Sequence, residues 1–548
     1  MTAHSKLAAL PQAARLRQGL LLGTAVALLS GCSSIFKPEG PAQPQSVVGK
    51  LPEKWAGAAS AEPMGEGWLE EFGDATLQAM VEEAWSNNAT LLSAISRRDA
   101  AAAKAAVDKA GRLPRLDFQG GVGRQRQIND FLGNSTFVPD EAYISRIRFG
   151  LGLSWELDVW NRATDLANAA LGDVASAMLD VEAAKFSLAG QAATLWFTFL
   201  AADQKVRLAQ DIEANFVEAE RIAGERQSGG LITTAELIKL RTDLAVSRGE
   251  IIARQLERDR AARALEVLIG RYPANALQAS VELPRMPDPV VAGVPSSLLE
   301  RRPDIQAASL RVLASDKRLL AAKKNLLPRF SITGSVATQA KYRDLLFDQD
   351  TFTWSLGGGI LQPLFDGGQI RAGIRAQRAL LTESVQKYRE KAYGAFREVE
   401  DGLGAETALR AQLVYLQTAL ELSVDNEKLA QQSFANGTLD ANARLATQRG
   451  TLQTRARLVD LQLALLTNRV ALDLALGGSP LVREEPGEQD GAETANPSAD
   501  SADTVSRIVD SMSNESAMDA ASAPSPVAEP TAVSVSNTSS AVAALPSP

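Results

Sequence analysis

The chain has 548 residues, 45% of them apolar but only 5% aromatic, and a formal net charge of −8. Eleven acidic and two basic residues fall within 481–548, so this segment carries −9 and the remainder +1, which gives no support for a nucleic-acid partner. His4 and Cys32 are the only histidine and cysteine, which excludes a histidine-based triad, a zinc site and a disulfide framework. The sequence also lacks GxSxG and GxxxxGKS/T, so we predict that the protein is not an enzyme and has no cofactor.

Residues 1–31 are predicted to be a signal peptide, because basic residues precede the short apolar run Leu20–Leu29. The run is too short to cross a bilayer comfortably. Leu29–Cys32 (LSGC) is similar to the bacterial lipobox, whose cysteine receives S-diacylglycerol and N-acyl chains and becomes the mature N-terminus. Ser33 resembles the residue found in lipoproteins sorted to the outer membrane, where three acyl chains should anchor a protein firmly. The alternative is an accidental cysteine after an ordinary signal peptide.

The rest of the chain divides into an arm, two repeats, a linker and a tail. Residues 32–66 are proline-rich and are predicted to be an extended, lipid-anchored arm. The first repeat (67–270) is predicted to hold strands at about 115–126 and 144–156 and a long helix at about 163–228. A proline-rich linker (271–297) leads to the second repeat (298–480), with strands at about 329–340 and 351–362 and a long helix at about 367–435. Residues 481–548 are predicted to be a disordered acidic tail rich in Ser, Ala and Pro.

The two long helices indicate a tandem duplication. Each carries apolar or small residues at spacings of three and four, begins after a turn signal and ends before a glycine, Gly230 or Gly437. Shorter helices are predicted at 90–111 and 231–268, and again at 303–326 and 438–475, and could stack end to end against the long ones. The predicted fold class is mixed α and β, mostly α, with each repeat ordered helix, two strands, long helix, helix. A coiled-coil rod is the alternative interpretation of one such helix alone.

The four strands alternate apolar residues with small or polar ones. In the first strand Leu116, Phe118 and Val122 share a face, while Asp117 and Gln119 lie on the other. The strand length suits a tilted crossing of a bilayer, and the alternation is typical of a transmembrane barrel with a wet lumen. It would equally suit a soluble antiparallel sheet packed on the helices. Four strands cannot close a barrel, so a membrane location requires several chains to pool their strands, and three chains would give twelve.

Three segments carry a resemblance to a known family: Leu298–Ile305 (LLERRPDI), Trp155–Trp160 (WELDVW) and Gln362–Gly368 (QPLFDGG). Over roughly residues 50–478 the chain resembles the TolC/OprM-like outer-membrane efflux channels, in their lipoprotein (NodT-like) branch. The resemblance implies a homotrimer with a 12-stranded transmembrane β-barrel continuous with a periplasmic α-helical barrel. It also implies location in the outer membrane of a Gram-negative bacterium, with a periplasmic adaptor and an inner-membrane RND-type or ABC-type pump as partners. The alternatives are a type I secretion channel and a non-conducting coiled-coil envelope lipoprotein.

The periplasmic gate does not transfer from the family by motif. Family members often carry an aspartate in an LDxQ segment at the helical tip, whereas Leu445–Gln448 here reads LATQ. Asp440 and Arg444, just past Gly437, and Glu236 in the other tip are therefore the candidate gate residues. Inter-chain pairing of Asp440 with Arg444 would keep the opening between three copies of the chain closed. The alternative for each residue is an ordinary solvated charge at a helix end.

Overall fold

The computed structural model describes residues 36–41, 43–57, 65–128, 141–279, 282–290, 292–342, 346, 348–481 and 507. The chain forms two units, 1–495 and 496–548, and the fold below is that of the first. The signal-peptide prediction, Cys32 and nearly all of the acidic tail lie outside the described residues.

The first half contains four α-helices and two strands within the described residues. They are α1 (Ala75–Asn87), α2 (Ala89–Ala110), β1 (Arg115–Ile128), β2 (Glu141–Leu157), α3 (Arg162–Ser228) and α4 (Thr234–Leu268). Asp74 begins α1 by accepting hydrogen bonds from the backbone N–H groups of Thr76 (2.9 Å) and Leu77 (3.2 Å). Asn88 ends α1 and caps α2 in the same way. One residue therefore separates the two helices and fixes the turn between them.

The second half repeats this order. Its elements are α5 (Leu298–Arg301), α6 (Pro303–Lys324), β3 (Arg329–Ala340), β4 (Phe352–Leu361), α7 (Gln369–Ala435) and α8 (Ala441–Ala475). The lengths match between halves: 22 residues in α2 and α6, 67 in α3 and α7, and 35 in α4 and α8. At 1.5 Å per residue the long helices reach about 100 Å. The halves differ before α2 and α6, since α5 has only four residues where α1 has 13.

The short helices α4 and α8 each begin three residues later than expected. Thr233 caps α4, and Thr233 and Glu236 each bond the other's backbone N–H group, a capping box. Asp440 caps α8 by accepting from the N–H of Asn442 at 3.2 Å. These caps hold 231–233 and 438–440 in the turns, although apolar residues in both segments continue the helical pattern.

The strands form one antiparallel sheet in the order β1-β2-β3-β4. Its register places Phe118 opposite Leu151, Leu151 opposite Val336, and Val336 opposite Trp354, so one row of residues crosses all four strands. The outer strands, β1 and β4, have no further partner within the described chain.

Helix α3 is the centre of the helical part, where it packs against α1, α2, α4, α6 and α8. Its middle holds large buried side chains, and Trp196 donates its indole N–H to Asp74 at 2.7 Å. Alanines allow close approach elsewhere, and a Cβ at Gly190 would overlap the side chain of Leu474 on α8. No helix among the described residues is both long enough and apolar enough to cross a lipid bilayer.

The arm before α1 packs on the second half of the chain and on the linker that precedes it. Asp316 of α6 accepts from the backbone N–H groups of Glu39 (3.0 Å) and Gly40 (2.9 Å). Trp55 donates to the carbonyl of Ala292 at 3.0 Å, and Tyr393 of α7 donates to the carbonyl of Val48 at 2.9 Å. The arm is not extended throughout, since Pro44–Val48 forms a 3-10 helix.

Candidate functional sites in the sheet and at the helical hairpin ends

One face of the sheet is apolar and open to its surroundings. Large hydrophobic side chains occupy this apolar face on every strand, and Phe118, Trp354 and Leu356 are each about 70% exposed or more. The others are Leu116, Val122, Phe149, Leu151, Val336, Phe352 and Ile360. A sheet that exposes so many apolar side chains in adjacent rows is suited to contact with lipid or with another protein surface.

The opposite face, the polar face, is lined by small or hydrophilic residues. Its central row joins Asp117, Gly152, Ser335 and Ser355, and the two serine Oγ atoms lie 2.8 Å apart. Asp117 also accepts from the guanidinium of Arg115 at 2.9 Å. This face can border water without burying an unsatisfied polar group.

An aspartate fixes the junction between the sheet and each long helix. Asp158 accepts from the backbone N–H groups of Ala163 (2.9 Å) and Thr164 (2.7 Å) at the start of α3. Asp366 accepts from the N–H groups of Gly368 (2.9 Å) and Ile370 (2.7 Å) at the start of α7. Burial acts to raise the pKa of Asp158, but the hydrogen bonds to the helix start outweigh it and lower that pKa. The bonds from Ile370 and Gly368 likewise lower the pKa of Asp366.

At the other end of the long helices, the structure gives each candidate gate residue a local partner. Asp440 forms an ion pair with Arg226, near the end of α3. The guanidinium of Arg444 lies 4.9 Å from the ring centroid of Phe434 on its own hairpin. Glu236 belongs to the capping box of α4, where its carboxylate accepts from the N–H of Thr233 at 2.8 Å. Within the chain, therefore, Asp440 pairs with Arg226, while Arg444 and Glu236 contact residues of their own hairpins.

A line of polar contacts joins the two helical hairpins, α3–α4 and α7–α8, toward these ends. Gln448, the last residue of the LATQ segment, accepts from the side chain of Asn215 at 2.7 Å. Arg449 donates to Asn215 at 2.7 Å and stacks on Phe216, with its guanidinium 4.3 Å from the ring centroid. Burial lowers the pKa of Arg449, because the charged form loses hydration. Sequence periodicity does not indicate these contacts, although Gln448 lies within the LATQ segment.

A model of the outer membrane efflux protein family matches residues 80–271 and 294–478. The chain belongs to the outer membrane efflux protein family. Its match covers both repeats, from α1 to the end of α8, and leaves out most of the linker.

The alignments with relatives in the family cover nearly the whole length of those relatives. Outer membrane protein OprJ of Pseudomonas aeruginosa is 29% identical over 459 residues, 82% of this chain and 93% of OprJ. Solvent efflux pump outer membrane protein SrpC of Pseudomonas putida is 28% identical over 471 residues, 83% of this chain and 97% of SrpC. The crystal structure of the Campylobacter jejuni CmeC outer membrane channel shares the fold, with a TM-score of 0.72 at 20% identity, over 85% of this chain and 94% of that one.

As a member of this family the protein is an outer-membrane efflux channel, which confirms the prediction of family, function and location. Its predominantly helical fold with antiparallel strands also matches the prediction. The family is one of transport proteins.

Proposed function

We propose that three copies of this chain close a single twelve-stranded barrel, which continues into an α-helical barrel and serves as a passive exit duct. Solutes would enter from an inner-membrane pump of the RND or ABC type through a periplasmic adaptor, with no catalysis by this chain. SrpC is named as the outer-membrane component of an efflux pump, which supports a pump as partner. The lipid on Cys32 would add an anchor on the periplasmic side of the outer membrane.

The observation that carries the proposal is the pair of open sheet edges. Strands β1 and β4 lack partners within the described chain, and every residue of β4 is exposed. In a bilayer, unpaired backbone N–H and C=O groups have no water to bond, and each one destabilises the membrane-inserted state by about several kcal/mol. Pairing β4 of one chain with β1 of the next satisfies both edges and closes a ring.

The two faces of the sheet support three copies rather than two. The apolar face would contact lipid, and the polar face would line the lumen. Two chains would give eight strands, whose interior is just wide enough for side chains to fill. Twelve strands lined by the row of Asp117, Gly152, Ser335 and Ser355 leave a water-filled passage instead.

The two long helices are not equally covered by their own chain, and this difference also favours a second copy of this chain as the partner. Helix α3 packs on five other helices, whereas α7 packs chiefly on α6, α8 and the 3-10 helix Pro44–Val48. Its uncovered side exposes Val414, Tyr415, Leu422 and Leu429. An exposed apolar surface of this kind favours a protein partner, and a neighbouring chain that pairs with a sheet edge could also cover it.

Disulfide cross-linking between the sheet edges tests the proposal. Within one chain β1 and β4 are three strand spacings apart, about 14 Å, well beyond the Cα separation of about 5.5–6 Å that a disulfide requires. Gln119→Cys would be combined with Thr353→Cys, Ser355→Cys or Gly357→Cys to sample the inter-chain register. We expect oxidation of at least one pair to give dimer and trimer bands on a denaturing gel.

The matched control is Ser335→Cys with Ser355→Cys, which pairs neighbouring strands of one chain. Its disulfide should form within one chain, so the protein should still run as a monomer on the denaturing gel. If all three edge pairs stay monomeric while this control oxidises, the strands do not join between chains, and a non-conducting lipoprotein spacer becomes the better account.

A further inference from the structure

We propose that Arg146 and Arg148 form a basic ring in the outer part of the barrel lumen, which makes this part of the duct selective for anions. The proposal rests on the trimeric duct above. It assigns a charge preference to the channel wall itself, independent of the pump that supplies the solute.

Both arginines lie on the polar face of β2. Leu151 and Phe149 are on the apolar face, and residues alternate along a strand, so Arg148 and Arg146 project to the other side. Both side chains are exposed. Arg148 stands opposite Gly121 on one side and Gln339 on the other, and Arg146 stands opposite Gly123. None of these three neighbours across the strands carries a carboxylate.

The space over these glycines is open. No atom lies within 4 Å of the position that a Cβ would occupy at Gly121 or Gly123. The arginine side chains therefore do not fold back onto the neighbouring strand at these points. They are free to extend into the lumen.

The other charged residues that the strands themselves place on the polar face lie nearer the helices, and the carboxylates among them already have cationic partners. Asp117 is 2.9 Å from Arg115, and Glu156 is 2.8 Å from Arg162. Asp117 is in register with Gly152, four residues from Arg148, which is about 13 Å along the strand. No ion pair of Arg146 or Arg148 occurs within the described part of the chain.

Three copies would place six guanidinium groups around one level of the pore. Twelve strands spaced about 4.8 Å apart and tilted by about 40° enclose a backbone circle roughly 12 Å in radius. An extended arginine covers about half of that distance. Any solute then passes within the Debye length of about 10 Å at 0.1 M salt, so the ring concentrates anions and repels cations across the whole passage.

The reversal potential of the purified channel in planar bilayers under a tenfold KCl gradient tests the ring. We expect the wild type to pass chloride in preference to potassium, and Arg146→Gln with Arg148→Gln to lower that permeability ratio at least about twofold. The preference should shrink when both solutions are above 1 M, where the Debye length is about 3 Å. Arg146→Lys with Arg148→Lys keeps the charges and should retain the selectivity.

The matched control removes two arginines from the apolar face, slightly farther along the strands, opposite Ser145 and Tyr143. Arg124 and Arg126 lie on β1, and the guanidinium of Arg124 is 5.1 Å from the ring centroid of Tyr143. Arg124→Gln with Arg126→Gln should leave the selectivity unchanged. Equal permeability to both ions in the wild type, or an equal loss in this control, would overturn the ring while leaving the duct intact. Absence of any conductance by wild-type trimers would overturn the duct, and the ring with it.

Discussion

Arg469 and Asp473 form a buried pair near the end of α8. Asp473 is fully buried, and Arg469 contacts its carboxylate at 3.1 Å while donating to Glu71 at 2.5 Å. Burial raises the pKa of Asp473 to about 8, opposed by Arg469 and reinforced by the negative charges of Glu71 and Glu406. The folded state therefore favours the protonated form of Asp473 below about pH 8.

A pH titration of thermal stability checks this assignment. A pKa raised by folding adds stability that is complete below about pH 4 and is lost as the pH rises through about 8. Asp473→Asn replaces the titrating carboxyl group with an amide that does not titrate. We therefore expect the melting temperature of this variant to rise relative to that of the wild type as the pH increases from 5 to 8. The control is Asp460→Asn, which changes an exposed side chain on the same helix. Its melting temperature should follow the same pH dependence as that of the wild type. Parallel curves for Asp473→Asn as well would show that this carboxyl is ionised throughout.

Some single-residue features followed from sequence and others did not. Asp74 caps α1 and directly precedes its apolar helical pattern, so the cap agrees with a signal that is visible in the sequence. Asp158 and Asp366 lie within two of the three segments that carry the family resemblance, yet their role at the helix starts depends on turn geometry that periodicity does not encode. The pair of Arg226 with Asp440 joins residues 214 apart in sequence, and only the packing of the two hairpins brings them together.

At the scale of elements, long periodic segments were predictable and their ends were less so. The expected long helix at 163–228 compares with Arg162–Ser228 observed, and the expected strand at 329–340 compares with Arg329–Ala340. Such segments bury or expose one face over many residues, so the pattern is redundant. The start of α8 depends on one capping side chain, Asp440, and was misplaced by three residues.

The hairpin ends carry a prediction about gating. We propose that in a trimer these ends surround the periplasmic opening, and that the pair of Asp440 with Arg226 helps to hold the two hairpins of each chain together. Asp440→Asn removes the charge but keeps a good helix cap, and an exposed pair contributes only about 0–1 kcal/mol. We expect normal trimers with a raised resting conductance in planar bilayers. The double variant Asp440→Ala with Arg444→Ala should conduct at least as well.

Two control variants test whether the loss of any charge near the hairpin ends changes the conductance. Asp425→Asn breaks an exposed pair with Lys428 on a single helix, and Glu236→Gln keeps the capping box while removing charge. Both should conduct like the wild type. If the Asp440 variants also match the wild type, these residues are solvated helix ends and the gate lies elsewhere.

At the scale of the whole molecule, the duplication gives two similar halves with different surroundings. Helices α3 and α7 are equal in length, but α3 is enclosed by its own chain while α7 is left open on one side. This asymmetry suits a ring in which each chain covers part of the next. Sequence periodicity indicated both helices but could not indicate which one would be enclosed.

Lipidation remains a prediction from the sequence, because Cys32 lies outside the described residues. We expect mass spectrometry of the mature protein to find an acylated N-terminus at Cys32, and Cys32→Ala to lose the lipid while still forming trimers. The barrel would hold the membrane through its apolar face, so the anchor would mainly aid sorting. A mature N-terminus at another residue would contradict this.

Thiol accessibility in an open channel tests most directly that the polar face of the sheet lines a pore. Ser355→Cys and Leu356→Cys place a cysteine on adjacent residues of β4, facing opposite sides of the sheet. During single-channel recording, a water-soluble thiol reagent that does not cross membranes should reduce the current through Ser355→Cys and leave Leu356→Cys and the wild type unaffected. Equal effects on both variants, or block of Leu356→Cys alone, would contradict a lumen bounded by this face.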